Sequence, residues 1–143
     1  MKAFSTSILI DATADTVWNI LIDTPRWPDW NTTIDKVEGN IAAGEQVTVY
    51  SKISPGRAFP LEVTEFEPPR RMVWSGGMPL GLFTGKRTYT LTPRDDNSIE
   101  FSMQEAFTGL MAPLITRSIP DLQPSFNQFA NCLKQHAERT DHG

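Results

Sequence analysis

Between residues 34 and 107 the chain runs through six segments of β-forming residues: IDKVEG, EQVTVYSKI, AFPLEVTEFE, RRMVWSG, LFTGKRTYTLTP and SIEFSMQEAF. Short turn-forming stretches separate them: GNIAAG, SPGR, PPR, GGMPLG and RDDN. Gly, Pro, Asn and Asp supply the unusual φ values and local side-chain hydrogen bonds that turns require. Strands joined by so few residues run antiparallel, because a parallel return needs a crossover of a dozen residues or more. The stretch predicts an antiparallel meander, and one face of it must be covered by another part of the chain.

The C-terminal segment supplies the cover. In LMAPLITRSIPDLQPSFNQFANCLKQHAERT, residues Ile115, Ile119, Leu122, Phe126, Phe129, Leu133 and Ala137 recur at helical spacing and form an apolar stripe. Pro120 and Pro124 interrupt it, which predicts a short first piece and a regular helix from about 120 to 139. At the other end AFSTSILI, residues 3 to 10, reads as a strand. A change of period follows: Val17, Ile20 and Leu21, with Thr13 and Asp15 placed for the cap and the dipole, predict a helix over 13–22. Thr24 as N-cap and Pro25 as first residue start a second short helix, which Pro28 limits. Trp27 and Trp30 then share a face, while Arg26 and Asp29 point to water. The order is strand, two short helices, six strands and one long helix, an α+β arrangement in a single domain over 1–143.

Several function classes are disfavoured. A net charge of −4 with no Lys/Arg block argues against nucleic acid as a partner. No stretch approaches the roughly 20 apolar residues of a membrane span, and the N-terminus has one Lys and no uninterrupted apolar run. The expectation is a cytoplasmic protein without integral membrane association, monomeric or weakly dimeric. Cys132 is the sole cysteine and reads as a buried, inert thiol. His136 on the terminal helix and His142 in the tail form no triad, and Asp95 with Asp96 reads as a solvated turn, not as metal ligands. No HExxH, EF-hand, GxGxxG or P-loop spacing occurs, so neither metal nor cofactor is expected.

The order of elements, carried by IDATADTVWNILID, WPDWN, FEPPRRMVWSGG, YTLTP and MQEAFTGLMAPL, resembles the helix-grip family of START-like domains, plant pathogenesis-related allergens and bacterial polyketide cyclase/dehydrase-like (SRPBCC) proteins. The resemblance covers nearly the whole chain. It implies a helix-grip fold, a curved antiparallel sheet of about seven strands wrapped around the long C-terminal helix, with two short helices between strands 1 and 2 and a hydrophobic cavity between sheet and helix. Relatives commonly carry Pro where this chain has Thr13 and Thr32. In this arrangement WPDWN plugs one end of the sheet, its prolines holding the backbone while Trp27 and Trp30 supply wide apolar surface, as wall in preference to direct ligand contact.

Strand alternation identifies the side chains that face the helix. Phe59, Leu61 and Val63 share a face, as do Phe83, Arg87, Tyr89 and Leu91, and so do Ile99, Phe101, Met103, Glu105 and Phe107. If RDDN places Leu91 opposite Ile99, Arg87 lies diagonal to Glu105. The pair reads as an ion pair near the rim, as a place where a one-residue bulge turns Arg87 or Glu105 outward, or as the polar anchor of an apolar cavity. Trp74 and Met78 on the preceding strand, with Ile115, Ile119, Leu122 and Phe126 from the C-terminal segment, complete the candidate ligand-binding set. GGMPLGLFTG, with Met78 and Phe83 in its apolar edge, reads equally as a mobile gate or as a hairpin turn needing positive φ.

Three functions remain open. The first is binding or transport of a small hydrophobic molecule, such as a lipid, an isoprenoid or an aromatic polyketide-like compound. The second is a cyclase, aromatase or dehydratase in which Arg87, Tyr89 or Glu105 supplies acid, base or enolate stabilisation. The third is an interaction module similar to chaperone activators, with the surface from Met78 to Phe83 as the interface.

Overall fold

A computed structural model describes residues 2–51, 58–78, 80–95, 97–118 and 121–142. The SPGR turn from residue 54, Pro79, Asp96, Ile119 and Pro120 of the sequence reading lie outside these, as do the side chains of Met78 and His142. The elements follow in the order β1 (Lys2–Ile10), α1 (Ala14–Ile22), a 3₁₀ turn (Thr24–Arg26), α2 (Trp27–Trp30), β2 (Ile34–Glu38), β3 (Gln46–Ser51), β4 (Ala58–Glu67), β5 (Arg71–Met78), β6 (Phe83–Asp95), β7 (Ser98–Thr108), α3 (Ala112–Ile115), a second 3₁₀ turn (Thr116–Ser118) and α4 (Gln123–His142). The strands form one curled antiparallel sheet in the order β1-β7-β6-β5-β4-β3-β2. This is the helix-grip arrangement. Strands β2 to β7 make the meander, and β1 joins its far edge beside β7.

Helix α1 begins where the sequence places it. Thr13 is extended and its hydroxyl accepts from the Thr16 amide at 3.2 Å, with Asp15 in the first turn. Thr24, however, is not the cap of the next turn. Asp23 occupies that position, and the buried Thr24 hydroxyl donates to the Gly39 carbonyl at 3.0 Å, tying the segment to the end of β2.

Two further readings are corrected. The C-terminal segment does open with a short piece, α3, which carries Ile115, but the regular helix α4 runs from 123 to 142 instead of 120 to 139, and Leu122 precedes it. Pro124 does not kink this helix, because it lies in the first turn, where its missing N–H has no intrahelical partner to lose. Cys132 is half-buried, with its sulfur 3.7 Å from the Thr32 hydroxyl.

The core lies between the inner face of the sheet and α4. Phe129 of α4 is at its centre, with ring centroids 5.3 Å from Trp27, 5.4 Å from Trp30, 6.1 Å from Phe101 and 6.2 Å from Tyr89. The WPDWN segment closes one end. Trp27 stacks on Trp74 of β5 at 5.6 Å and 19°, and its indole N–H donates to the Leu21 carbonyl at 3.0 Å. Trp30 stacks on His136 of α4 at 6.1 Å. Both tryptophans are buried, while Arg26 and Asp29 are exposed.

Candidate functional site

The hairpin joining β6 to β7 is tighter than the sequence reading assumed. Asp95 pairs with Ser98, a shift follows between Pro93 and Asp95, and Leu91 then faces Phe101 instead of Ile99. The Asp95 carboxylate accepts from the Asn97 amide at 2.9 Å and holds the turn. A two-residue difference in register keeps every side chain on its face but changes its partner. Arg87 is therefore directly opposite Glu105, not diagonal to it. The shift at Pro93 and Asp95 turns neither residue outward.

Pairing across three more strands extends this position into a row: Phe4 of β1, Glu105 of β7, Arg87 of β6, Trp74 of β5 and Val63 of β4. Arg87 Nη2 donates to Glu105 Oε2 at 3.0 Å, and the two side chains keep only 22% and 13% of their surface exposed. The guanidinium carbon lies 5.0 Å above the Phe126 ring of α4. Trp74 and Tyr89 are fully buried, with ring centroids 5.0 Å apart. An ion pair thus sits among aromatic rings, with only part of its surface in water.

Arg87 Nε, Trp74 Nε1 and the Tyr89 hydroxyl are buried and lack a hydrogen bond of good geometry to any described residue. So does Asn31 Nδ2, whose Oδ1 accepts from the Thr33 amide and hydroxyl near the plug. Burial raises the Tyr89 pKa above its ordinary value, and the adjacent guanidinium only partly opposes that, so the phenol is neutral at pH 7. Burial works against the Arg87 charge, but Glu105 and then Tyr89 outweigh it, so the arginine pKa is raised and its charge is secure.

The next row of the inner face carries two glycines. Leu61 extends the β4–β5 register opposite Gly76, which pairs with Gly85, which pairs with Phe107. A Cβ on Gly85 would meet the Phe107 ring at 3.3 Å, and one on Gly76 would meet Leu61 Cδ2 at 2.6 Å and the Pro60 carbonyl at 2.8 Å. The flanking side chains therefore lean over bare backbone. Phe83 stacks on Phe107 at 5.8 Å.

The remaining candidates divide by burial. Phe101 and Met103 are buried, opposite Ile8 and Thr6 of β1. Phe59, Leu61, Phe83, Ile115 and Leu122 are half-buried. In the GGMPLGLFTG stretch Leu80 and Gly81 have φ of 62° and 70°, which is turn geometry. The Leu82 carbonyl accepts from the Met111 amide at 2.7 Å, joining this hairpin to the segment before α3, and there Leu80 and Leu110 are 93% and 83% exposed. Phe4, Phe129 and the Gly76–Gly85 pair were not singled out as site residues, although Phe4 shares the alternation of Thr6, Ile8 and Ile10. Among the described residues, no three His, Cys, Asp or Glu side chains group as metal ligands, and no helix is long and apolar enough to cross a membrane.

The profile of the polyketide cyclase/dehydrase and lipid transport family matches residues 1–138. The chain belongs to this family. No curated protein matches it. Solved structures share the fold at low identity. A hypothetical protein from Helicobacter pylori is 15% identical with a TM-score of 0.77, covering 95% of this chain and 88% of that one. The ZhuI aromatase/cyclase from Streptomyces sp. R1128 is 14% identical at 0.74, covering 96% and 94%. A START superfamily protein from Mycobacterium smegmatis is 14% identical at 0.71, covering 96% and 98%.

Proposed function

We propose that this family member binds a small hydrophobic molecule, a lipid, isoprenoid or aromatic polyketide-like compound, between the sheet and α4, with its polar end at Arg87 and Glu105. One observation carries the reading. A charged pair sits in an otherwise aromatic interior, beside buried donors that no described side chain satisfies. Ligand sites are commonly apolar with a few fixed polar groups, and a buried donor without a partner is costly. The half-buried Leu61, Phe83, Ile115 and Leu122 are the apolar surface over which the ligand enters.

Native mass spectrometry of freshly purified protein, set against the denatured mass, tests this reading. An added mass lost on denaturation is expected. Saturable binding of an apolar fluorescent dye, weakened in Arg87→Met, is the second expected result. Failure of folded protein to bind any apolar probe would overturn the proposal.

A second reading has its own support in the position of Tyr89. A buried phenol kept protonated beside a secure positive charge is a proton donor suited to a developing enolate, so cyclase or dehydratase chemistry would use Tyr89 as acid with Arg87 as electrostatic partner. That reading expects turnover of a poly-β-carbonyl substrate, abolished in Tyr89→Phe while binding persists.

A further inference from the structure

We propose that the polar end of the ligand is an uncharged hydrogen-bond acceptor, a ketone or ester carbonyl, received by Trp74, Arg87 and Tyr89. The inference rests on the ligand-binding reading above and specifies the chemistry of the same site.

The free polar atoms are of one kind. An indole N–H and a guanidinium Nε–H only donate, and neither has a hydrogen-bond partner among the described residues. The Tyr89 hydroxyl is buried on the same face, and because a guanidinium has no acceptor the phenolic proton must find one elsewhere. Trp74 and Arg87 are cross-strand partners, and Tyr89 follows Arg87 on the same face of β6 with its ring against Trp74. Among the described residues the site thus offers donors in surplus, against the single carboxylate of Glu105, whose Oε2 already accepts from Arg87.

A single water does not suit such a site well. It accepts about two hydrogen bonds and must place its own two protons on acceptors. A carbonyl oxygen accepts two and has no proton to place.

Charge narrows the choice further. Arg87 is balanced by Glu105, and Tyr89 is neutral. A carboxylate would add a second negative charge with one cation to meet both, among aromatic rings that solvate neither. An ammonium would bring further donors to a site short of acceptors and set a positive charge against Arg87. A neutral carbonyl accepts from two of the three donors, brings no proton of its own and leaves the ion pair intact.

The test uses the full chain at pH 7.5, with N-phenyl-1-naphthylamine fluorescence reporting occupancy. Three competitors of one size displace it: 2-acetylnaphthalene, 2-ethylnaphthalene and 2-naphthoate. The acetyl compound is expected to displace at a concentration lower than the ethyl compound by roughly fivefold per hydrogen bond gained, with naphthoate no better than the ethyl compound. The acetyl-to-ethyl ratio should fall toward one in both Tyr89→Phe and Trp74→Phe. If one variant does not fold, the other decides. In the wild-type protein a ¹³C-labelled acetyl carbonyl should show its infrared stretch at lower frequency when bound than in hexane.

Equal displacement by the acetyl and ethyl compounds would overturn the carbonyl assignment while leaving apolar ligand binding intact. A preference for naphthoate would do the same and would make the site an anion receptor. If neither the dye nor any competitor binds, the ligand-binding reading falls, and this inference falls with it.

Discussion

Arg87 and Glu105 stabilise the fold as a pair and threaten it singly. Removing one member of a buried ion pair typically costs ~3–5 kcal/mol, because the other charge is stranded. Their partial exposure softens this to about 2 kcal/mol. Arg87→Met should therefore lower unfolding stability by about that much, while Arg87→Met combined with Glu105→Leu should recover most of it; urea titrations of the four proteins in the cycle measure the coupling. Tyr89 adds a pH dependence of known sign. Its folded-state pKa is raised above the ordinary 10.0, so the folded state holds the proton after the unfolded chain has begun to release it. Stability should be undiminished by this group below about pH 10 and should fall as pH rises from there through the folded-state pKa. Tyr89→Phe should flatten that alkaline fall in urea midpoints. Gly76 makes a steric prediction: a methyl there meets the Pro60 backbone carbonyl, which cannot swing aside, so Gly76→Ala should cost ~1–3 kcal/mol, and Gly85→Ala, which meets only the Phe107 ring edge, should cost less.

At the scale of elements, the plug and α4 hold one another. Trp27 touches Trp30, Trp74 and Phe129 and donates to Leu21, so Trp27→Ala removes the ring that joins α2 to α1, β5 and α4. A loss of ~3–5 kcal/mol is expected, read from guanidinium titrations followed by circular dichroism. The same elements show what sequence reading recovers. Strand positions and inward faces were legible because alternation survives small register changes, and α1 was legible because Thr13, Asp15 and the apolar spacing agree. Cross-strand partners were not. They depend on the hairpin turn, where Asp95 closes with Ser98 and shifts the ladder at Pro93, and turn conformation is not contained in the alternation pattern. The bounds of α4 were missed because a proline reads alike as a break and as a helix start. The free donors of Trp74 and Tyr89 were beyond sequence reading altogether, since lacking a partner is a property of three-dimensional neighbours.

At the scale of the whole molecule, the last turns of α4 are tied to the first elements of the chain. Asp141 accepts from the Thr13 amide at 2.8 Å and from the Thr16 hydroxyl at 2.5 Å, Glu138 accepts from the Asp11 amide at 2.9 Å, and Lys134 donates to the Leu9 carbonyl at 2.9 Å. These bonds are near the surface, so Asp141→Ala should cost only about 1 kcal/mol, measurable as a lower melting temperature. β1 lies along β7, with Lys2 opposite Phe107 and Ile10 opposite Ile99. During synthesis the first strand therefore emerges long before the strand it must pair with, and α4 emerges later still. Closure of so large a loop is slow. Until it happens, Ile8 and Ile10 have no sheet to join, and this edge depends on whatever shields it in the meantime.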